Sequence, residues 1–139
     1  MRILIVDDMA AVREGLRTLL GDEPDVEVVG EASDGEQALR LVNDLRPDVV
    51  LMDIEMPGAG GLQATRTIKN RPQPPLVIVM SLYGGEAESA RAHEAGADRF
   101  VTKSALLVEV VGALRAAFKM AGASAEPTLD SRRISEIIP

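Results

Sequence analysis

Three carboxylates, one hydroxyl and one amine occur at the ends of apolar runs, where a sheet would gather them. Asp7 and Asp8 close "RILIV", Asp53 closes "VVLMD", Ser81 closes "PLVIVMS" and Lys103 closes "RFVTK". Singly, each has an ordinary reading. Asp53 could cap the turn that follows it, since Asp bonds readily to backbone groups two residues on. Asp8 could cap a helix, Ser81 could terminate a strand and Lys103 could be a solvated amine. Jointly these readings weaken, because independent caps have no reason to supply such a set around one edge.

Electrostatics sharpen the point. Two carboxylates about 4 Å apart repel by roughly 4 kcal/mol at an effective dielectric near 20, so such a cluster needs cations. Lys103 supplies one charge and a divalent ion would supply the rest. The chain has no Cys and its one His, His93, is distant in sequence. The candidate ligands are hard oxygens, which suits magnesium better than zinc. A carboxylate nucleophile beside a metal, a hydroxyl donor and a lysine suits phosphoryl transfer, where positioning and charge neutralisation dominate.

The elements that must position these groups follow from periodicity. Apolar runs at 2–6, 26–32, 48–53, 75–81 and 99–103 read as strands. Between them, 9–21, 34–47, 62–71, 86–98 and 105–122 read as helices. Val12, Leu16, Leu19 and Leu20 share one face of the first helix, and Ala38, Leu41, Val42 and Leu45 one face of the second. Gly21 is a stop signal, Asp34 an N-cap, and Gly96 ends the fourth helix. Five βα units in series imply a single-domain α/β fold, a doubly wound parallel sheet with helices on both faces. Ligands of such sheets sit beyond the strands' carboxyl ends, where the five polar groups lie. Strand 2 contributes nothing comparable, as expected of an edge. From about Gly122 the periodicity fades, so 1–121 is read as the domain and 122–139 as a C-terminal tail or linker.

Composition excludes several functions. The 139 residues carry a net charge of −7, with pI near 4.7, so direct nucleic acid binding by this chain is not expected. Tyr83, Phe100 and Phe118 are the only aromatics, too few for a base-stacking surface. The opening "MRILIVDD" has too short an apolar run for a signal peptide or membrane span. A cytoplasmic location with no membrane partner is the expectation.

Asp7-Asp8, "MDIEMPGAGGL", "VMSLYGG" and "AGADRFVTKS", with their spacing, resemble the receiver domain of two-component response regulators over residues 1–121. "MSLYGGEAESA" and "EAGADRFVTKS" lean toward the NarL/FixJ-type branch. The resemblance implies the flavodoxin-like strand order 2-1-3-4-5. It implies that Asp53 is the phosphorylation site, taking a phosphoryl group from a sensor histidine kinase in a Mg2+-dependent reaction. Asp8 would be a direct metal ligand, Asp7 would act through a metal-bound water, and the Glu55 backbone carbonyl would complete the shell. Ser81 would bond the phosphoryl group and Lys103 would pair with it. Ser81 and Phe100 would form the switch, altering the face made by the fourth helix, fifth strand and fifth helix. His93 is too poorly placed to be an internal donor, so the kinase acts in trans.

Two positions depart from the pattern. Phe100 stands where Tyr is frequent, so a switch here acts through ring packing. Gly60 stands where Asp is common, which is expected to loosen the loop. The Glu55 and Tyr83 side chains flank the acceptor and the hydroxyl, where they are expected to tune the lifetime of the phosphorylated state. The fifth helix, with Leu106, Leu107, Val110, Val111, Leu114 and Phe118, leaves room for a homodimer surface. A helix-turn-helix DNA-binding domain often follows in such relatives. Two other classes compete. One is a stand-alone magnesium-dependent phosphatase or phosphotransferase of Asp-nucleophile type, although the acids here are adjacent and no cap domain is available. The other is a flavodoxin-like cofactor binder, against which "DDMAAV" offers no phosphate cradle.

Overall fold

A computed structural model describes residues 1–57 and 60–103, together with Gly112, Leu114–Ala116 and Lys119. Five strands form one parallel sheet: β1 (Arg2–Val6), β2 (Glu27–Ala32), β3 (Val49–Asp53), β4 (Leu76–Ser81) and β5 (Arg99–Thr102). Their spatial order is β2-β1-β3-β4-β5, the order expected, with β2 at an edge. The connecting helices are α1 (Ala10–Gly21), α2 (Gly35–Leu45), α3 (Gly61–Lys69) and α4 (Glu86–Glu94). The helix expected over 105–122 lies outside the described residues except for the few named above, which are helical. The tail expected over 122–139 lies wholly outside them.

The sheet is covered on both sides, which is why its central strands are continuous apolar runs. Successive side chains of a strand point to opposite faces. Ile3, Ile5, Val49, Leu51, Ile78 and Met80 therefore pack with Leu16 and Leu20 of α1 and with Leu114. Leu4, Val6, Val50, Met52, Val77 and Val79 pack on the other face with Ala38 and Val42 of α2, Ala64 and Ile68 of α3, and Ala92 of α4. Phe100 is half-buried against this second cluster.

The helix ends obey local chemistry, with small corrections to the expected bounds. Asp34 Oδ1 accepts the Gln37 N–H at 2.8 Å, so it caps α2 as anticipated. α2 stops at Leu45 rather than 47, because Arg46 turns left-handed (φ 49°) ahead of Pro47. α4 ends at Glu94, two residues before the expected stop at Gly96. Gly96 takes φ +95° there, a conformation that favours glycine, and leads the chain into β5. α3 ends at Lys69, two residues early, with Asn70 as its C-cap.

A buried ion-pair cluster lies at the far end of the fold, away from the strands' carboxyl ends. Arg115 reaches Asp25 Oδ1 at 2.8 Å and Glu23 Oε2 at 3.1 Å. The Met1 ammonium donates to the Asp25 carbonyl at 2.8 Å. The cluster therefore ties the chain's start, the α1–β2 connection and the segment around Arg115 together.

Candidate functional site

Parallel pairing puts the ends of β1, β3, β4 and β5 side by side. Val6 pairs with Met52, Asp53 with Met80, and Ser81 with Thr102. The next residue of β1 is Asp7, and the residue after β5 is Lys103. The expected set is thus assembled at one edge. Asp7 and Asp53 are fully buried and Lys103 is 6% exposed, whereas Asp8 lies on the surface.

Lys103 is no solvated amine. Its Nζ lies 2.9 Å from Asp7 Oδ2 and 3.1 Å from Asp53 Oδ1. Burial alone would draw its pKa down, but hydrogen bonds to Asp7 and Asp53 outweigh that and raise it, so the ammonium is held charged. Asp53 goes the other way. Burial pushes its carboxyl up to about 6, and the neighbouring Asp7 charge adds to this; the Glu55 N–H and Lys103 offset part of the rise.

The two readings of Asp53 divide between its oxygens. Oδ1 accepts the Glu55 N–H at 3.0 Å, the turn-forming bond to the backbone two residues on. Oδ2 is buried with no hydrogen-bond partner among the described residues. A buried carboxylate oxygen without a donor costs free energy unless something else occupies its lone pairs. Carboxylate oxygens of Asp7, Asp8 and Asp53 lie within 4.8 Å of one another. The donor set and the orphaned oxygen both fit a hard divalent cation. Asp8, moreover, does not cap α1: the N-cap is Met9, without a side-chain bond.

Neighbouring residues fix this geometry. Asp7 Oδ1 accepts the Met9 N–H at 2.8 Å, and Arg13 of α1 donates to the Asp7 carbonyl at 2.6 Å. Arg13 and Arg17 both pair with Glu31 of β2, so the edge strand braces the acidic pair indirectly. Gly61 opens α3 directly against Asp53. A Cβ there would overlap the Asp53 carbonyl oxygen. Gly60, with φ +51°, turns the chain into that approach.

The Glu55 side chain does more than border the site. Its Oε1 accepts the Ser81 hydroxyl at 2.6 Å and the Leu82 N–H at 2.8 Å, linking the loops after β3 and β4. Tyr83 is 73% exposed, and its N–H donates to Ser81 Oγ at 3.2 Å. His93 is exposed on α4. No local pattern marks the Glu55–Ser81 contact, nor Arg13, whose role depends on a helix and an edge strand meeting.

The sheet and its carboxyl-edge acids, beside a buried lysine, place this chain among doubly wound α/β proteins with a site suited to a hard divalent cation. The particular family follows from comparison. Residues 3–115 match the response regulator receiver domain, and the chain belongs to that family, whose role in two-component signalling is that of a phosphoacceptor. It is 38% identical over 138 residues to the transcriptional regulatory protein LiaR of Bacillus subtilis, covering 99% of this chain and 63% of LiaR. It is 44% identical over 119 residues to the response regulator GacA of Pseudomonas aeruginosa, covering 85% of this chain and 55% of GacA. The signal receiver domain of NarL from Mycobacterium tuberculosis superposes with a TM-score of 0.77 at 35% identity, over 81% of this chain and 91% of that one. NarL's presence agrees with the branch suggested by the sequence. The chain spans about 55–63% of the length of these two curated relatives. Membership removes the stand-alone phosphatase alternative, since the family's role is to accept a phosphoryl group.

Proposed function

We propose that this chain is a phosphorylation-controlled switch whose acceptor is Asp53, and that it catalyses only its own phosphorylation and dephosphorylation. The observation that carries the reading is the division of labour at Asp53: Oδ1 is held by the Glu55 N–H and Lys103, and Oδ2 is unpartnered. Oδ2 attacks the phosphorus of a phosphohistidine presented in trans by a sensor histidine kinase. The P–N bond breaks as the P–O bond forms, and its electron pair returns to the donor imidazole.

Asp8, Asp53, the Glu55 carbonyl and, through water, Asp7 would hold Mg2+, which when bound neutralises charge on the transferring oxygens. Lys103 leaves its carboxylates to pair with a phosphoryl oxygen, and Ser81 Oγ turns to donate to another. Phe100, half-buried beside β4, follows Ser81 and alters the surface of α4 and β5.

Residues 1–121 form the receiver and 122–139 a tail or linker. The output lies with a partner, a homodimer or a DNA-binding domain further along the full-length protein, rather than with nucleic acid contacts of this chain. None of the described helices is long and apolar enough to cross a membrane. Incubation with Mg2+ and acetyl phosphate tests the reading. One phosphoryl group per chain is expected, and none when the metal is chelated before acetyl phosphate is added; no incorporation with Mg2+ present would contradict it.

A further inference from the structure

Ser81 has one hydroxyl proton, and that proton is already committed. It is donated to Glu55 Oε1 at 2.6 Å, while the Ser81 oxygen accepts the Tyr83 N–H at 3.2 Å. A hydroxyl has a single donor, so Ser81 cannot serve Glu55 and a phosphoryl oxygen on Asp53 at once. The same carboxylate also accepts the Leu82 N–H, which fixes the loop after β4 in this conformation. Glu55 is held in turn from the acceptor side, because its own N–H donates to Asp53 Oδ1. One residue therefore touches both the reacting carboxylate and the responding hydroxyl.

We propose that the Glu55 carboxylate is a latch: it holds Ser81 and the loop after β4 in the resting arrangement, and its release is the first conformational step of the switch. This rests on the phosphoacceptor reading above, and in particular on Ser81 as the group drawn to the phosphoryl oxygens. A charged acceptor makes the stronger kind of hydrogen bond, so the latch raises the threshold for switching. An incoming phosphoryl group adds negative charge near Glu55 and opposes the latch electrostatically while competing for its proton. The identity of the residue two positions after the acceptor thereby sets the resting equilibrium in this chain. Glu55 acts through Ser81 and is a positioning residue.

The test uses beryllofluoride with Mg2+ as a phosphoryl mimic and reads two quantities on the full chain. In the first, the Leu82 amide resonance is followed by NMR. It is expected to shift on Glu55→Ala in the resting protein, and in the same direction when beryllofluoride saturates the unsubstituted protein. A Leu82 amide that ignores either change would overturn the latch.

In the second, the half-saturating beryllofluoride concentration is expected to fall about tenfold in Glu55→Ala, the scale of one hydrogen bond to a charged group. Removing a negative charge could lower it too, so the same substitution is made in a Ser81→Ala background. There the change is expected to shrink below about twofold. A full tenfold change without the Ser81 hydroxyl would assign the effect to charge alone and overturn the proposal. Failure of the unsubstituted protein to bind beryllofluoride, or binding that survives Asp53→Asn, would instead defeat the phosphoacceptor reading, and the resting Leu82 response would still report on the Glu55 contact.

Discussion

Lys103 Nζ lies 3.1 Å from Asp53 Oδ1, with both side chains withdrawn from solvent. A second contact, to Asp7 at 2.9 Å, makes this one ammonium the counter-charge of two buried carboxylates. The arrangement stabilises an acidic site before any metal or phosphoryl group arrives. In the proposed phosphoryl transfer, Lys103 exchanges one of these partners for a phosphoryl oxygen.

Removing that ammonium should expose the cost of the acids. Lys103→Met is expected to destabilise the metal-free protein by about 3 kcal/mol, the usual scale for orphaning a buried charge. Protonation of Asp53 relieves part of it, so the loss should be smaller at pH 5 than at pH 8. Urea unfolding at both pH values, in the presence of a chelator, checks this.

The Asp53 carboxyl, pushed up to about 6, sets a pH dependence of defined sign. The folded chain holds this proton more tightly than the unfolded chain does. Metal-free stability contributed by Asp53 is therefore highest below about pH 4 and falls as pH rises toward 6, by on the order of 3 kcal/mol. Asp53→Asn should remove this component of the slope and be the more stable protein at pH 7.5. Equal stability of the two proteins across pH 4 to 7.5 would count against a raised acceptor.

Metal binding should depend on a residue that contributes little to folding. Asp8 is exposed and caps nothing, so Asp8→Asn is expected to change metal-free stability by less than about 0.5 kcal/mol. In the unsubstituted protein, Mg2+ at a hundred times its dissociation constant should add about 2.7 kcal/mol. Asp8→Asn should lose most of that gain. Thermal unfolding with and without Mg2+ separates the two effects.

Two glycines should respond oppositely. A Cβ on Gly61 would overlap the Asp53 carbonyl, whereas one on Gly21, at the end of α1, meets nothing within 4 Å. Gly61→Ala is expected to cost about 2 kcal/mol or more and to slow phosphorylation by displacing the acceptor. Gly21→Ala should be neutral or stabilise by up to about 1 kcal/mol. Paired denaturation curves and acetyl phosphate labelling of both variants test this.

Local chemistry made most of the fold legible. The apolar runs named all five strands because a sheet covered on both faces needs no polar alternation, as in the wholly buried β3. Gly96 and Asp34 marked helix ends because a left-handed turn and an N-cap each demand particular residue types. The site set was legible for a related reason: strand ends of a parallel sheet converge, so Asp7, Asp53, Ser81 and Lys103 had to meet. What sequence could not give were contacts whose partners are fixed only by tertiary packing. Glu55 reaches Ser81 because two loops fold toward each other, and Arg115 reaches Asp25 across ninety positions. Neither pairing has a local pattern, and spacing marks the Glu55 side chain only as a neighbour of Asp53 and Ser81.

The phosphoryl acceptor role of Asp53 has a direct chemical test. After labelling with acetyl phosphate and Mg2+, borohydride reduction converts an aspartyl phosphate to homoserine and marks its position permanently. Mass spectrometry of the tryptic peptide between Arg40 and Arg66 then distinguishes Asp44, Asp48 and Asp53. Homoserine at Asp53 alone, absent from Asp53→Asn, is the predicted result; homoserine at another position, or labelling that persists in Asp53→Asn, would contradict it.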